Sequence, residues 1–259
     1  MTTEHATEHA EEGIHVASLA AEKLGEVFGI PITSTLIMSW IVLALLIGLA
    51  FFVKRRVSII PGKVQLLFET VFEFVLNFMT EILESRKMAR KFFPLIVTIF
   101  LFIFTANAIE FFPGIGSIGF FQHDGQHTIF APLLRSMNTD LNVTLALAII
   151  SFLVIEVAGV LSVGFWKYAG KFISFKSPLA FIVGLIELMS ETIRLVSFSF
   201  RLFGNIFAGE VLIAVVSFFV PYFLPVPVMA FEMFIGFVQA GIFALLTLLF
   251  IKLAVTEPH

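Results

Sequence analysis

There is no cysteine among the 259 residues, which excludes disulfides, thiolate metal sites and cysteine nucleophiles. Charge is scarce as well: Asp, Glu, Lys and Arg make up 14% of the chain, against about a quarter in a soluble domain. None of the six histidines (His5, His9, His15, His123, His127 and His259) falls within a long apolar run. A histidine base within a bilayer is therefore missing, as are a His-Glu-x-x-His zinc motif, a glycine-rich phosphate loop and a basic patch suited to nucleic acid. These absences argue against an intramembrane hydrolase and against a nucleic-acid-binding protein. His5 and His9, four residues apart, read as part of a solvated tail rather than a grip on a metal. No cofactor and no metal site are expected.

What the chain has in abundance is apolar length. Hydrophobic residues account for 59% of it, and 34 residues are phenylalanine, which suits a lipid-facing surface. A bilayer core takes roughly 17–25 helical residues to cross. Runs of that length lie at about 36–53, 92–112, 141–166, 179–220 and 228–255. Between the first two, residues 63–91 are amphipathic, with Leu66, Val71, Phe72, Val75, Met79 and Leu83 set against Glu69, Glu73, Glu81 and Glu84, then Arg86, Lys87, Arg90 and Lys91. That pattern predicts a helix lying along the membrane face. The expected fold is an all-α polytopic membrane protein of about five spans, one surface helix and two long, strongly tilted C-terminal helices. Residues 1–30 read as an acidic extracytoplasmic segment, with Ile14, Ala17, Ala21, Leu24 and Phe28 at helical spacing, and residues 31–259 as one membrane domain. The start is negative rather than positive, so no cleaved secretory signal is expected.

The run at 179–220 is the unusual one. As a single helix it would reach roughly 60 Å, about twice the hydrocarbon thickness. It holds no proline and no cluster of turn residues that would fold it into a hairpin. A single tilted helix follows, reversed at 221–227 into the last span. The loop at 113–138 is rich in glycine and polar residues, and His123 and His127 within it read as solvated. Lysine and arginine concentrate after the first and third spans, at Lys54, Arg55 and Arg56 and at Lys167, Lys171 and Lys176. The positive-inside rule places those two segments and the C-terminus in the cytoplasm and the N-terminus outside.

Within the long run stands Arg201, a permanent charge where a membrane helix accommodates one at a cost of about 2.5–3.5 kcal/mol. Arg194 and Glu187 precede it at seven-residue steps, and Ser197 and Asn205 lie four residues to either side, so one helix face is polar. The polar residues fall into two groups. Glu187, Ser190, Arg194 and Ser197 lie toward the cytoplasmic end. Asn205, Glu210, Glu232, Gln239, Asn107 and Glu110 lie toward the outside, with Arg201 between the groups. A purely structural anchor would leave most of these unexplained, although Glu191 and Arg194 are spaced for a private ion pair. Two polar paths that never join suit an ion carried sideways from one to the other. Glu210 and Glu232 come to comparable depth if the last two helices run antiparallel. Two carboxylates together in a partly dry site do not both ionise cheaply, so they are expected to share a proton.

The run Arg201-Leu202-Phe203-Gly204-Asn205 with Ala208-Gly209-Glu210, and Gln239-Ala240-Gly241-Ile242-Phe243 in the last span, resembles the signature of subunit a of F-type ATP synthases. The likeness covers the chain from about residue 30 to the C-terminus. It implies a proton-translocating stator subunit of a rotary ATP synthase in a bacterial plasma membrane, with no catalysis of its own. Its implied partners are the ring of proteolipid c subunits, the b subunit of the peripheral stalk, the remainder of the complex and the lipid bilayer. The resemblance implies that Arg201 faces the ring carboxylates, favours their ionised form and separates two offset aqueous half-channels. Glu232 departs from those family members that carry histidine at this position.

Overall fold

The computed structural model describes residues 23–27, 30–58, 60–111, 119–124, 127–132, 135–172 and 177–256. Five helices are long and apolar enough to span a membrane. Helix α1 covers Ser34–Arg56, and Thr33 caps it by accepting the Leu36 N–H at 3.3 Å. Its last turn holds Lys54, Arg55 and Arg56, where cations complement the helix dipole. Its buried residues, Ser34, Thr35, Met38 and Val42, all lie in the first half. The rest of α1 presents side chains such as Leu43, Ile47 and Phe51 outward, as a lipid-facing surface does.

Helix α2, Lys63–Leu83, stops eight residues short of the expected end of the surface helix. Glu84 adopts a left-handed backbone at φ 53°, and Ser85 then caps a new helix through the Met88 N–H. Arg86, Lys87, Arg90 and Lys91 therefore open the second span, α3, Arg86–Glu110. Four cations oppose the dipole at that end. What holds the start of α3 is burial of Ala89, Phe92 and Ile96 against Met79 and Leu83 of α2. An ion pair at 2.6 Å between Glu84 and Lys252 fixes the corner itself.

Two short antiparallel ribbons lie outside the helices, and the fold remains the expected all-α polytopic one. Strand β1 (Lys23–Val27) pairs with β2 (Ile30–Thr33), and β3 (Gly119–Asp124) with β4 (His127–Pro132). Leu24 thus sits on a strand rather than on an amphipathic helix, because Ile30, Ile32 and Thr33 are β-branched and offer it an extended partner. Ile14, Ala17, Ala21 and Phe28 lie outside the described residues, as do the side-chain surroundings of His123 and His127. The expected polar loop at 113–138 holds the second ribbon, and the segment after it turns inward. The 3₁₀ turn Met137–Thr139 is buried, and so are Arg135, Ser136 and Asp140.

Asp140 caps helix α4, Leu141–Val163, through the Asn142 N–H at 2.9 Å, and its carboxylate also receives the Thr35 hydroxyl of α1 at 2.8 Å. The third span was expected to run to Trp166. It ends at Val163 because Gly164 takes φ 93°, a conformation that favours glycine. The short helix α5, Phe165–Phe172, then folds back on the bundle and buries Tyr168. Gly159 admits the Tyr168 ring where any Cβ would overlap it.

Helix α6 spans Pro178–Phe219 without interruption, 42 residues. Ser177 caps it and Pro178 occupies its first turn, where a missing N–H costs nothing. At 1.5 Å per residue it is about 63 Å long and must lie oblique to a core of about 30 Å. Helix α7, Pro225–Val255, begins three residues before the expected start, with Pro225 and Pro227 tolerated in its first turn. Both α3 and α4 pack on α7, and α4 also packs on α6. Three apolar clusters form the core, one at the α2–α3–α7 end, one around Phe198 and Phe243, and one where α1 meets Met137.

Candidate functional site

Arg201 stands a little past the middle of α6. Its neighbours Phe198, Leu202, Phe203 and Ile206 turn inward and are buried, whereas Arg201 itself is exposed together with Phe200 and Ala208. Among the described residues no ion pair and no hydrogen bond satisfies its guanidinium. One turn further along, Gly204 leaves open space beside it. This charge is neither snorkelling at a helix end nor locked inside the chain. It is presented outward from the bundle.

Toward one end of the bundle the structure gathers a carboxylate cluster. Glu110 comes from the last turn of α3, Glu210 from α6 and Glu232 from α7. Glu110 lies within electrostatic reach of the other two. Glu232 is buried, its carboxylate packed on the backbone of Gly209, where a Cβ would collide with it. Glu210 has Arg135 at 3.7 Å, and the Thr139 hydroxyl lies beside it. The expected pair of carboxylates is therefore a group of three with a cation among them. Beneath them Asn107 donates to the Gly236 carbonyl at 3.0 Å and receives the Asn138 amide at 2.6 Å. Asn205 and Gln239 stand deeper, toward Arg201, each with a buried amide nitrogen that has no partner among the described residues. Unpaired buried donors of this kind are costly unless water or another group reaches them.

At the other end a second network forms. Lys171 of α5 contacts Glu187 at 2.7 Å and Glu191 at 3.3 Å, and Arg194 contacts Glu191 at 2.7 Å. The Arg194 guanidinium also lies 3.9 Å over the Phe250 ring of α7. Glu156 of α4 faces the same group, with the Tyr168 hydroxyl close by but outside hydrogen-bond geometry. Burial, and then the Glu156 charge, push the Tyr168 phenol up, so it stays protonated. Glu191 and Arg194 do form the pair that their spacing suggested. Ser197 is partly buried between this network and Arg201, whereas Ser190 is exposed and takes no part in it.

Sequence reasoning missed Arg135, Ser136 and Asn138, which fall in the polar loop at 113–138, and Thr139, which lies between that loop and the third span. One signal pointed to Arg135: it is the only Lys or Arg between Lys91 and Lys167. It also placed Lys171 in a linker and left Glu156 unassigned, although α5 brings both to Glu191.

A family model described as "ATP synthase A chain" matches residues 36–252. Among the relatives is the "ATP synthase subunit a" of Moorella thermoacetica, 31% identical over 86% of this chain and 90% of that one. The "ATP synthase subunit a, sodium ion specific" of Propionigenium modestum is 33% identical over 93% of this chain and 80% of its own. The "ATP synthase subunit a" of Mycobacterium bovis is 35% identical over 88% and 89%.

Proposed function

The chain belongs to the ATP synthase A chain family, as a multi-pass membrane component of an ion-translocating synthase rather than an enzyme alone, and we propose that it is the stator half of the proton path. In this reading a proton enters through an outer half-channel formed by Glu110, Glu210, Glu232, Asn107, Asn205 and Gln239. It protonates a carboxylate on a ring of c subunits, travels with the ring, and leaves through an inner half-channel beside Glu187, Ser190, Arg194 and Ser197. Arg201 separates the two paths. The observation that carries this reading is the outward guanidinium of Arg201, unpartnered among the described residues, on a helix that contributes side chains to both polar clusters. A charge so placed needs an opposite charge from another chain, and a ring carboxylate fits. Its field favours the ionised carboxylate, so the proton leaves on one side before another loads from the other. Each charge crossing yields about 2.3 kcal/mol per 100 mV, so several must be summed for each ATP. The peripheral-stalk b subunit holds this chain still against the turning ring.

The test is co-purification followed by reconstitution. A ring-forming proteolipid and the soluble ATPase head should accompany this chain out of the membrane, and ATP should acidify the reconstituted vesicles. A relative named as sodium ion specific makes sodium the second reading. ATP-driven sodium uptake that persists with an uncoupler present would replace the proton with sodium.

Two further results are expected. Single cysteines at Ser58 and Ser174 should react with membrane-impermeant thiol reagents from the cytoplasmic side, and one at Gln122 from outside. Labelling of Gln122 and Ser174 from the same side would refute this orientation. Glu232→Gln should slow passive proton conduction through the membrane sector by about 100-fold, the lower end of what a positioned proton-transfer group contributes, and shift its pH dependence. Unchanged conduction would remove Glu232 from the path.

A further inference from the structure

A cleft of about 620 Å³ opens where the basic end of α1 meets the start of α2, away from both polar clusters. Phe52 and Val53 of α1 and Val64, Phe68 and Phe72 of α2 wall it with apolar surface. Arg56 and Lys63 stand at its polar end. The Arg56 guanidinium lies 4.8 Å over the Phe52 ring, and neither cation has a carboxylate partner among the described residues. Glu69, the carboxylate in the lining, is already engaged by the Gln65 amide at 2.8 Å. Gln65 also bonds both the N–H and the carbonyl of Ser58, at 3.1 and 3.0 Å, which fixes the width of the mouth. Gly62, the N-cap of α2, offers no side chain to the first-turn N–H groups. Phe72 is shared with a second apolar groove of about 250 Å³, which continues past Val75 to Ile96 and Leu248.

We propose that this cleft binds one anionic phospholipid. Its phosphate sits between Arg56 and Lys63, and one acyl chain runs over Phe68 and Phe72 into the second groove. Charge complementarity selects the head group, and the continuous apolar lining selects a lipid over a free anion. A transmembrane helix, about 10 Å across, would fill the cleft within roughly two turns. The lipid also supplies packing that the chain lacks there, since the second half of α1 buries no residue.

The test uses the complete synthase, purified in mild detergent, delipidated and titrated with phosphatidylglycerol, with phosphatidylcholine as the zwitterionic comparison. Native mass spectrometry should find one phosphatidylglycerol retained for each copy of this chain in preference to phosphatidylcholine. The double variant Arg56→Gln/Lys63→Gln should weaken that site on the order of 30-fold, taking about fivefold for each basic residue at an anionic lipid. If the double variant fails to assemble, Lys63→Gln alone should still show the fivefold loss. A photoreactive phenylalanine analogue at Phe68 should cross-link to lipid. Unchanged retention in the charge variants, equal retention of phosphatidylcholine, full competition by inorganic phosphate, or a Phe68 cross-link to protein alone would each overturn the proposal. ATP-driven acidification reports separately on the translocation reading.

Discussion

Arg201→Ala is expected to abolish ion-driven ATP synthesis while the complex still assembles. Within the described residues Arg201 neutralises no carboxylate, so its loss leaves no orphaned charge in the fold. It also buries little, being exposed on α6, so the stability effect should stay within about 0.5 kcal/mol, as for ordinary surface positions. The cost falls on transport. On the proposed mechanism, nothing would then favour the ionised ring carboxylate at the moment of exchange, and nothing would keep the two polar paths apart. Arg201→Lys should fail nearly as badly, because a desolvated lysine can release its proton and arginine effectively cannot. Arg194→Ala provides the contrast. It removes the 2.7 Å partner of Glu191, a carboxylate 3% exposed, so it should lower the amount of assembled complex. The measurement is ATP synthesis in reconstituted vesicles under an imposed gradient, normalised to complex recovered. Normal synthesis by the Arg201→Ala variant would sink the translocation role given to this residue.

Why Arg201 stood out in the sequence, and the buried surroundings of Arg135 did not, comes down to the range of the interactions. The length of α6 was legible because helix continuity is local: residues 179–219 hold no proline, and each glycine among them stands alone. The charge at Arg201 was legible because lipid penalises it whatever surrounds it. The end of α2 at Glu84 was not. A left-handed glutamate is unfavourable locally, and the corner it forms depends on distant contacts, Met79 and Leu83 packing on α3 and Glu84 meeting Lys252, 168 residues away. The descent of residues 135–140 into the bundle depends on similarly distant partners: Thr35 for Asp140, Asn107 for Asn138 and Glu210 for Arg135. Polarity marked that segment as loop, and the structure uses the same polarity to line a buried site. Asn107, Glu110, Glu210 and Glu232 come together because the first two close α3 and the last two flank the turn that reverses α6 into α7, so counting residues from the helix ends brings them to similar depth. Ser190 was grouped with Glu187 by depth, and depth does not say which way a side chain faces.

Arg135→Gln should be the most damaging single change in the outer cluster. Arg135 is 6% exposed and is the cation facing Glu210 and Glu110. Removing it leaves Glu210 and Glu110 without the countercharge it supplies among the described residues. Breaking a buried pair in this way costs about 3 kcal/mol at the lower end of the usual range, and the lower end applies because the contact is 3.7 Å and Glu210 is 30% exposed. The variant should therefore give less assembled complex and, in what assembles, slower passive proton conduction. Charge balance and a specific hydrogen-bond role can be told apart by adding Glu210→Gln. If Arg135 acts by balancing charge, the double variant should recover most of the lost assembly, because a neutral amide no longer needs a cation beside it. Conduction should stay slow, since Glu210, a relay carboxylate of the proposed path, is gone too. The readouts are complex recovered per membrane protein and proton conduction through vesicles stripped of the soluble head. An Arg135→Gln variant that assembles and conducts normally would show that the cation carries neither role. A double variant that assembles no better than Arg135→Gln would place the function of Arg135 in its contacts with the 136–140 segment rather than in its charge opposite Glu210.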